Sequence, residues 1–192
     1  LLREDGHRVV ETREPGGTPF AERIRELLLS STVEPITPEC EAFLILACRS
    51  QHVAHVIKPA LKEGSMVLCD RFSDSTLAYQ GYARGLDLRL LRKLNRFATS
   101  GLTPDLTLLF DVPVPLGLAR RHRHKTEQNR LDRESRRFHE RVRQGFLDLA
   151  ARYPHRIRVI DGIPDPENVA AEVAPIVRQY LKTRRTPKIR KP

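Results

Sequence analysis

Asp70 and Arg71 follow directly on the apolar run Met66-Val67-Leu68-Cys69, which reads as a buried parallel strand. A carboxylate and a guanidinium therefore stand together at a strand's carboxyl end, where open α/β sheets bind ligands. The Arg fork suits phosphate, and the Asp beside it suits Mg²⁺. A structural ion pair at a strand end would give the same two residues. Two other strands end alike: Thr12-Arg13-Glu14 follows the first, and Asp111 closes the third. In a parallel sheet these ends share one edge, so their convergence points to a polar site more strongly than any one pair.

Three other stretches could do chemistry. Arg13-Glu14-Pro15-Gly16-Gly17-Thr18 leads straight into a helix start, where glycines admit a close ligand and the helix end favours anions. An ordinary strand-to-helix turn has the same composition. Ile45, Arg49 and His52 share one helical face; Arg49 there is either a holder of a polar ligand edge or an ion-pair partner. His52 and His55 are read as structural, because no further metal ligands accompany them. Residues 120–143 form two helical stretches around the polar hinge Lys125–Asn129. Such a segment could close over a polyphosphate and bring an arginine to the transition state, or be a solvated hairpin.

The elements that would position these residues alternate short apolar runs with amphipathic stretches, which predicts an α/β parallel sheet. Strands are expected near 7–12, 65–70, 105–111 and 156–160. Thr18-Pro19 and Thr37-Pro38 are N-cap and first-turn pairs that open helices. The second helix should run to about Ile57, with Pro59 breaking or kinking it. Further helices are expected over 87–99, 115–124, 132–152 and 166–182, with Pro175 kinking the last. Leu1–Gly6 reads as a helix end with a glycine cap, so the chain is expected to continue upstream of residue 1.

Length suits one domain with a real core. No run of 18 apolar residues occurs, so no membrane span is expected. Cys40, Cys48 and Cys69 fit neither a disulfide framework nor a zinc site, and a reducing cytoplasm is expected. The net charge of +10 is concentrated in two places. Residues 120–143 carry ten Lys/Arg against four Asp/Glu, and residues 181–192 carry six with no acid. The basicity is thus an internal segment and a tail, and a nucleic-acid partner is not expected. The tail 183–192 has no apolar pattern and is expected to be disordered.

An ordered series of motifs resembles thymidylate kinases of the bacterial type. It comprises Thr12–Thr18, Ala47-Cys48-Arg49-Ser50-Gln51-His52, Lys58–Leu61, Asp70–Gly81 with Arg84-Gly85, Thr103–Thr107 and Arg141–Phe146. The resemblance spans about residues 1 to 180. It implies a P-loop kinase-type three-layer sandwich around a parallel sheet, with five strands in the family and four here. The domain is expected over 1–182, with a lid over 120–143. The implied activity is transfer of the ATP γ-phosphate to dTMP, giving dTDP, with Mg²⁺, in a cytoplasmic homodimer.

By motif, Arg71 resembles the arginine that holds the dTMP phosphate, and Asp70 the acid that places Mg²⁺ or that phosphate. Arg25 resembles a second phosphate arginine, and Arg49 the one that binds thymine. Arg13, Glu14, Pro15, Ile45, Ser75, Thr76, Tyr79 and Gln80 match the substrate pocket. Asn129-Arg130-Leu131-Asp132 resembles the lid motif, with Arg130 as transition-state arginine and Arg123 beside it over ATP. Arginines suit this chemistry, which needs positioning and charge stabilisation rather than a covalent nucleophile.

Two departures stand out. Ile45 occupies the place where the family has a Phe stacked on the base, so weaker dTMP binding is expected unless a neighbour such as Phe43 compensates. No G-x-x-x-x-G-K-[ST] occurs in the 192 residues. A strand and P-loop are therefore expected before residue 1, and the chain alone is expected to be inactive. The alternatives are a P-loop-less remnant acting as a nucleotide-binding or dimerisation module, and a kinase for another nucleoside monophosphate.

Overall fold

The computed structural model describes residues 1–30, 34–123 and 129–183. The four strands fall where the apolar runs predict: β1 (Val9–Arg13), β2 (Met66–Asp70), β3 (Thr107–Asp111) and β4 (Ile157–Asp161). All pair in parallel, but as two ribbons rather than one continuous sheet: β1 with β2, and β3 with β4. Among the described residues, β2 and β3 each have one strand neighbour, and Leu68 and Phe110 on them remain about half exposed.

The helices are α1 (Pro19–Leu29), α2 (Pro38–His52), α3 (Lys58–Lys62), α4 (Ser73–Thr76), α5 (Leu88–Ala98), α6 (Val114–Arg123), α7 (Arg136–Arg152) and α8 (Pro166–Thr183). Thr18 and Thr37 cap α1 and α2 as expected, accepting from the backbone N–H of Ala21 and Cys40. Pro59 does not stop its helix. A π-helical stretch, Val53–Ile57, lies just before α3 and carries the chain on to Lys62. Proline's missing N–H is thereby absorbed by a local change of hydrogen-bond register instead of a break. Pro175 likewise lies inside α8.

Residues 73–83, read from sequence only as a motif, are helical: α4 passes into a second π stretch, Leu77–Ala83. Ser, Asp and Thr compete with the helix backbone for hydrogen bonds, so the local sequence hides this element. The glycine cap expected at Gly6 is formed. Gly6 has φ 84, and His7 donates back to the Leu2 carbonyl in a Schellman closure.

Because no strand hydrogen bond crosses between the ribbons among the described residues, helices join them. The central core collects Ala42 of α2, Leu77 of the π stretch, Leu91 of α5, Leu149 and Ala150 of α7, and Ile157 of β4. A polar link reinforces it. Asp74 of α4 takes a two-pronged bond from Arg156, just before β4, at 2.6 and 2.8 Å, and Arg156 also donates to Thr107 of β3 at 3.0 Å. Asp74 is 7% exposed. Asp74→Ala would leave the Arg156 guanidinium short of its acceptor, so a loss of about 2 kcal/mol is expected, below the fully buried range because Arg156 is partly open. Urea unfolding at unchanged slope checks it.

Candidate active site

The site is built on the face of α2 that carries Glu41, Ile45 and Arg49, spaced at i, i+4 and i+8. Arg49 is buried to 1% exposure. Its Nε donates to Glu14 Oε2 at 2.7 Å, and its Nη1 donates to Thr76 Oγ1 at 2.7 Å and Asn95 Oδ1 at 2.5 Å. The guanidinium also lies 5.3 Å from the centre of the Phe72 ring. Arg49 is thus an ion-pair partner, one of its two expected readings, and three of its five N–H donors are engaged in this way.

Glu14 is the acceptor that makes this burial possible. Its other oxygen lies 3.0 Å from His52 Nδ1, and His52 Nε2 lies 2.7 Å from Thr12 Oγ1. A carboxylate only accepts, so Nδ1 donates to it. His52 is therefore structural, as expected. The glycine loop is explained by the same ring: a Cβ on Gly17 (φ 84) would come within 2.5 Å of His52. Its N–H is turned to Glu22 Oε1 at 2.9 Å, so the loop folds on its own acid. Glu14-Pro15 is a cis peptide.

At the open end of the seam, β1 and β2 place Arg13 and Asp70 as direct neighbours. Arg71 follows with φ 66, a left-handed backbone that is uncommon outside glycine. Its guanidinium sits 5.0 Å from the Tyr79 ring centre. Arg25 donates to the Pro15 carbonyl at 2.8 Å. Burial lowers the Arg25 pKa from its ordinary value, and the neighbouring charges of Arg13 and Arg71 lower it further against Glu22 and Asp70. Three arginines thus share one corner, a cationic field suited to an anion. Asp111 does not join this corner. It is held by Arg143 at 2.6 and 2.7 Å on the other ribbon.

The second buried carboxylate is Glu41, 1% exposed. It accepts from Gln80 Nε2 at 2.8 Å, from Arg84 at 3.2 and 3.3 Å, and from Arg130 Nη2 at 2.5 Å. Arg130 also donates through Nε to the Leu28 carbonyl at 3.0 Å. Arg130 therefore docks between the end of α1 and the start of α2. Arg123 stands exposed at the end of α6. The hinge 125–128 and the tail from 184 lie outside the described residues. Ser75 and Tyr79 are half-buried, and Thr76 and Gln80 are buried. Ile45 packs against the α1–α2 core, while Phe43 is 62% exposed.

Glu14, His52 and Cys69 come within 4.8 Å of one another, a soft donor set unlike that of Mg²⁺. Their polar atoms already bond to Arg49, Thr12 and the Arg71 carbonyl. Burial pushes the thiols of Cys48 and Cys69 up to about 11 and about 12, so neither is a ready nucleophile.

A family model described as thymidylate kinase matches residues 1–173 of the chain. The chain belongs to the thymidylate kinase family. It is 52% identical to the thymidylate kinase of Geobacter sulfurreducens over 188 residues, which cover 95% of this chain and 88% of that one. Identity to the Thermomicrobium roseum thymidylate kinase is also 52%, over 97% of this chain and 88% of the relative. The crystal structure of the Ehrlichia chaffeensis thymidylate kinase superimposes with a TM-score of 0.70 at 36% identity, covering 89% of this chain and 80% of that one. Thymidylate kinases phosphorylate dTMP to dTDP with ATP as donor. No described helix is long and apolar enough to cross a membrane.

Sequence reasoning passed over Glu41, Asn95, Phe72 and Arg84 as site residues. The available signals were spacing: Glu41 falls in register with Arg49, and Asn95 falls among Leu88, Leu91 and Ala98 on the inner face of α5. Burial would raise the Glu41 pKa, but hydrogen bonds from Arg84, Arg130 and Gln80 outweigh it and hold the carboxyl below its ordinary value. A depressed folded pKa adds stability above the unfolded pKa and loses it as pH falls through the folded one. The stability gap between wild type and Glu41→Gln should therefore be full near neutrality and close below about pH 4.5. Urea midpoints across that range measure it.

Proposed function

We propose that this thymidylate kinase uses the Arg49 seam to hold thymine and the Arg13–Arg25–Arg71 corner to hold the dTMP phosphate. The grouping of three arginines around the ends of β1 and β2 carries the reading. Burial and the neighbouring Arg13 and Arg71 charges lower the Arg25 pKa against Glu22 and Asp70, so the corner gathers three cations around two acids, one of which, Glu22, already pairs with Arg13 at 3.1 Å. Bidentate guanidinium forks match phosphate oxygens. The Nη2 donors of Arg49 are then the ones offered to a thymine carbonyl, with Ile45 and Tyr79 as apolar cover. Thr76, Ser75, Glu14 and Pro15 complete the wall.

Asp70 is exposed at the end of β2, and it is a single hard oxygen donor beside the arginine corner. That fits a Mg²⁺ ion, which commonly binds one or two carboxylates and takes its remaining ligands from water and phosphate. When bound there, the ion would neutralise phosphate charge. Arg71 and Arg25 fix the acceptor phosphate in line. Arg130, with Arg123, belongs to the lid over 120–143 and would bring positive charge to the transferring group.

Calorimetric titration with dTMP tests the reading. Arg71→Met should weaken dTMP binding at least about tenfold and thymidine binding little, since one charge-assisted phosphate contact is lost. Ile45→Phe should tighten both by restoring ring stacking of about 0.5–1.5 kcal/mol. Equal loss of dTMP and thymidine in Arg71→Met would overturn the phosphate assignment.

The same reading includes a homodimer. Phe20 and Leu27 of α1, Phe43 of α2, and Leu90 and Phe97 of α5 are each more than half exposed, and α1, α2 and α5 lie side by side. An apolar face on adjacent helices suits self-association. Sedimentation equilibrium should give twice the chain mass, and Phe43→Glu should shift it toward the monomer.

A further inference from the structure

We infer that Glu14, His52 and Cys69 form a binding site for a zinc-like divalent cation, separate from the Mg²⁺ position proposed at Asp70. One donor atom of each lies within 4.8 Å of the others. The fold gathers them from three elements: Glu14 follows β1, His52 ends α2, and Cys69 lies in β2 beside Thr12 of β1. The further ligands that the sequence does not reveal around His52 are thus supplied by tertiary packing. Thiolate, imidazole and carboxylate together are the donors that hold Zn²⁺ in a tetrahedral shell, whereas Mg²⁺ takes hard oxygens in an octahedral one. Successive side chains of a strand point to opposite faces, so Cys69 and Asp70 serve different sites.

The hydrogen bonds around the three residues suit the exchange. Glu14 Oε2 stays with Arg49 Nε at 2.7 Å, which leaves Oε1 for the ion. His52 Nδ1 lies 3.0 Å from that Oε1, and its Nε2 lies 2.7 Å from Thr12 Oγ1. Whichever nitrogen ligates, the other keeps a partner for its N–H, the outer contact that metal-bound histidines make. Zinc bonds of about 2.0–2.3 Å place ligand atoms roughly 3.3–3.8 Å apart, so side-chain shifts of about 1 Å close the shell. Cys69 gives access, because it is only partly buried and its thiol donates to the Arg71 carbonyl at 3.0 Å. Binding breaks that S–H bond, forms a sulfur–metal bond and releases one proton to solvent. The imidazole stays neutral, and water takes the fourth position. Burial and the Glu14 charge push the Cys69 thiol up to about 12, so the charge of the ion itself must displace the proton.

Titration of the full chain with Co²⁺, a spectroscopic substitute for Zn²⁺, tests this. One equivalent should produce a near-ultraviolet thiolate-to-cobalt absorption that Zn²⁺ removes and Mg²⁺ leaves in place. Cys69→Ser should abolish the band, and Cys40→Ser should retain it. Because one proton leaves, the apparent affinity should rise about tenfold per pH unit above neutrality. Zn²⁺ should also raise the melting temperature of the wild type and leave that of Cys69→Ser unchanged. Absence of the thiolate band, or its persistence in Cys69→Ser, overturns the inference. Cobalt absorption without that band marks ions held on exposed histidines and overturns it as well. Should Cys69→Ser fail to fold, alkylation of the wild type decides: Zn²⁺ should slow modification of Cys69 and leave the exposed Cys40 unaffected, and equal rates with and without Zn²⁺ overturn the site.

Discussion

A guanidinium buried to the extent of Arg49 can exist only if acceptors surround it, since an isolated charge in a protein interior costs several kcal/mol. Glu14, Thr76 and Asn95 provide them, and each comes from a different part of the chain. Satisfying this one side chain therefore fixes the turn after β1, the helix after β2 and the inner face of α5 relative to α2. His52 and Thr12 extend the network by holding the second oxygen of Glu14. The glycine at 17 follows from that packing, because no side chain fits against the His52 ring.

The site is accordingly organised by two buried carboxylates rather than by its more numerous arginines. Glu14 serves the middle of the seam, and Glu41 serves the end where Arg130 docks. Between them the cationic side chains divide into two groups. Arg49, Arg84 and Arg130 are held by buried acids, which confers orientation. Arg13, Arg25 and Arg71 crowd one corner near Asp70 and Glu22, which leaves a positive field. Orientation is what base recognition needs, and a net positive field is what a phosphate needs. Division of labour of this kind suits phosphoryl transfer, where the protein's part is positioning and charge.

Much of this was legible in the linear chain. Apolar runs marked the four strands, because β-branched and other apolar residues fit a pleated, half-buried surface. Thr18 and Thr37 marked helix starts, because their side chains satisfy orphan backbone donors. Motif order led to Arg49, Arg71, Thr76 and Gln80. Less visible were the helix over 73–83 and the passage of α2 through Pro59. Both depend on π-helical stretches, whose register is set by packing against neighbours and leaves no composition signal. The division of the strands into two ribbons, with Asp70 on one and Asp111 on the other, was likewise not readable from strand ends alone.

Local chemistry determined the elements, their capping and the residue types available for phosphate and base: these follow from steric, propensity and charge rules acting within a few residues. Which acid meets which arginine was decided only by the tertiary structure. Glu14 and Arg49 are 35 residues apart, and Glu41 and Arg130 are 89 apart. Many carboxylates in the sequence could have served equally well. Such a bond to a buried carboxylate forms only when packing brings both groups to one place and removes much of the water that would otherwise screen them.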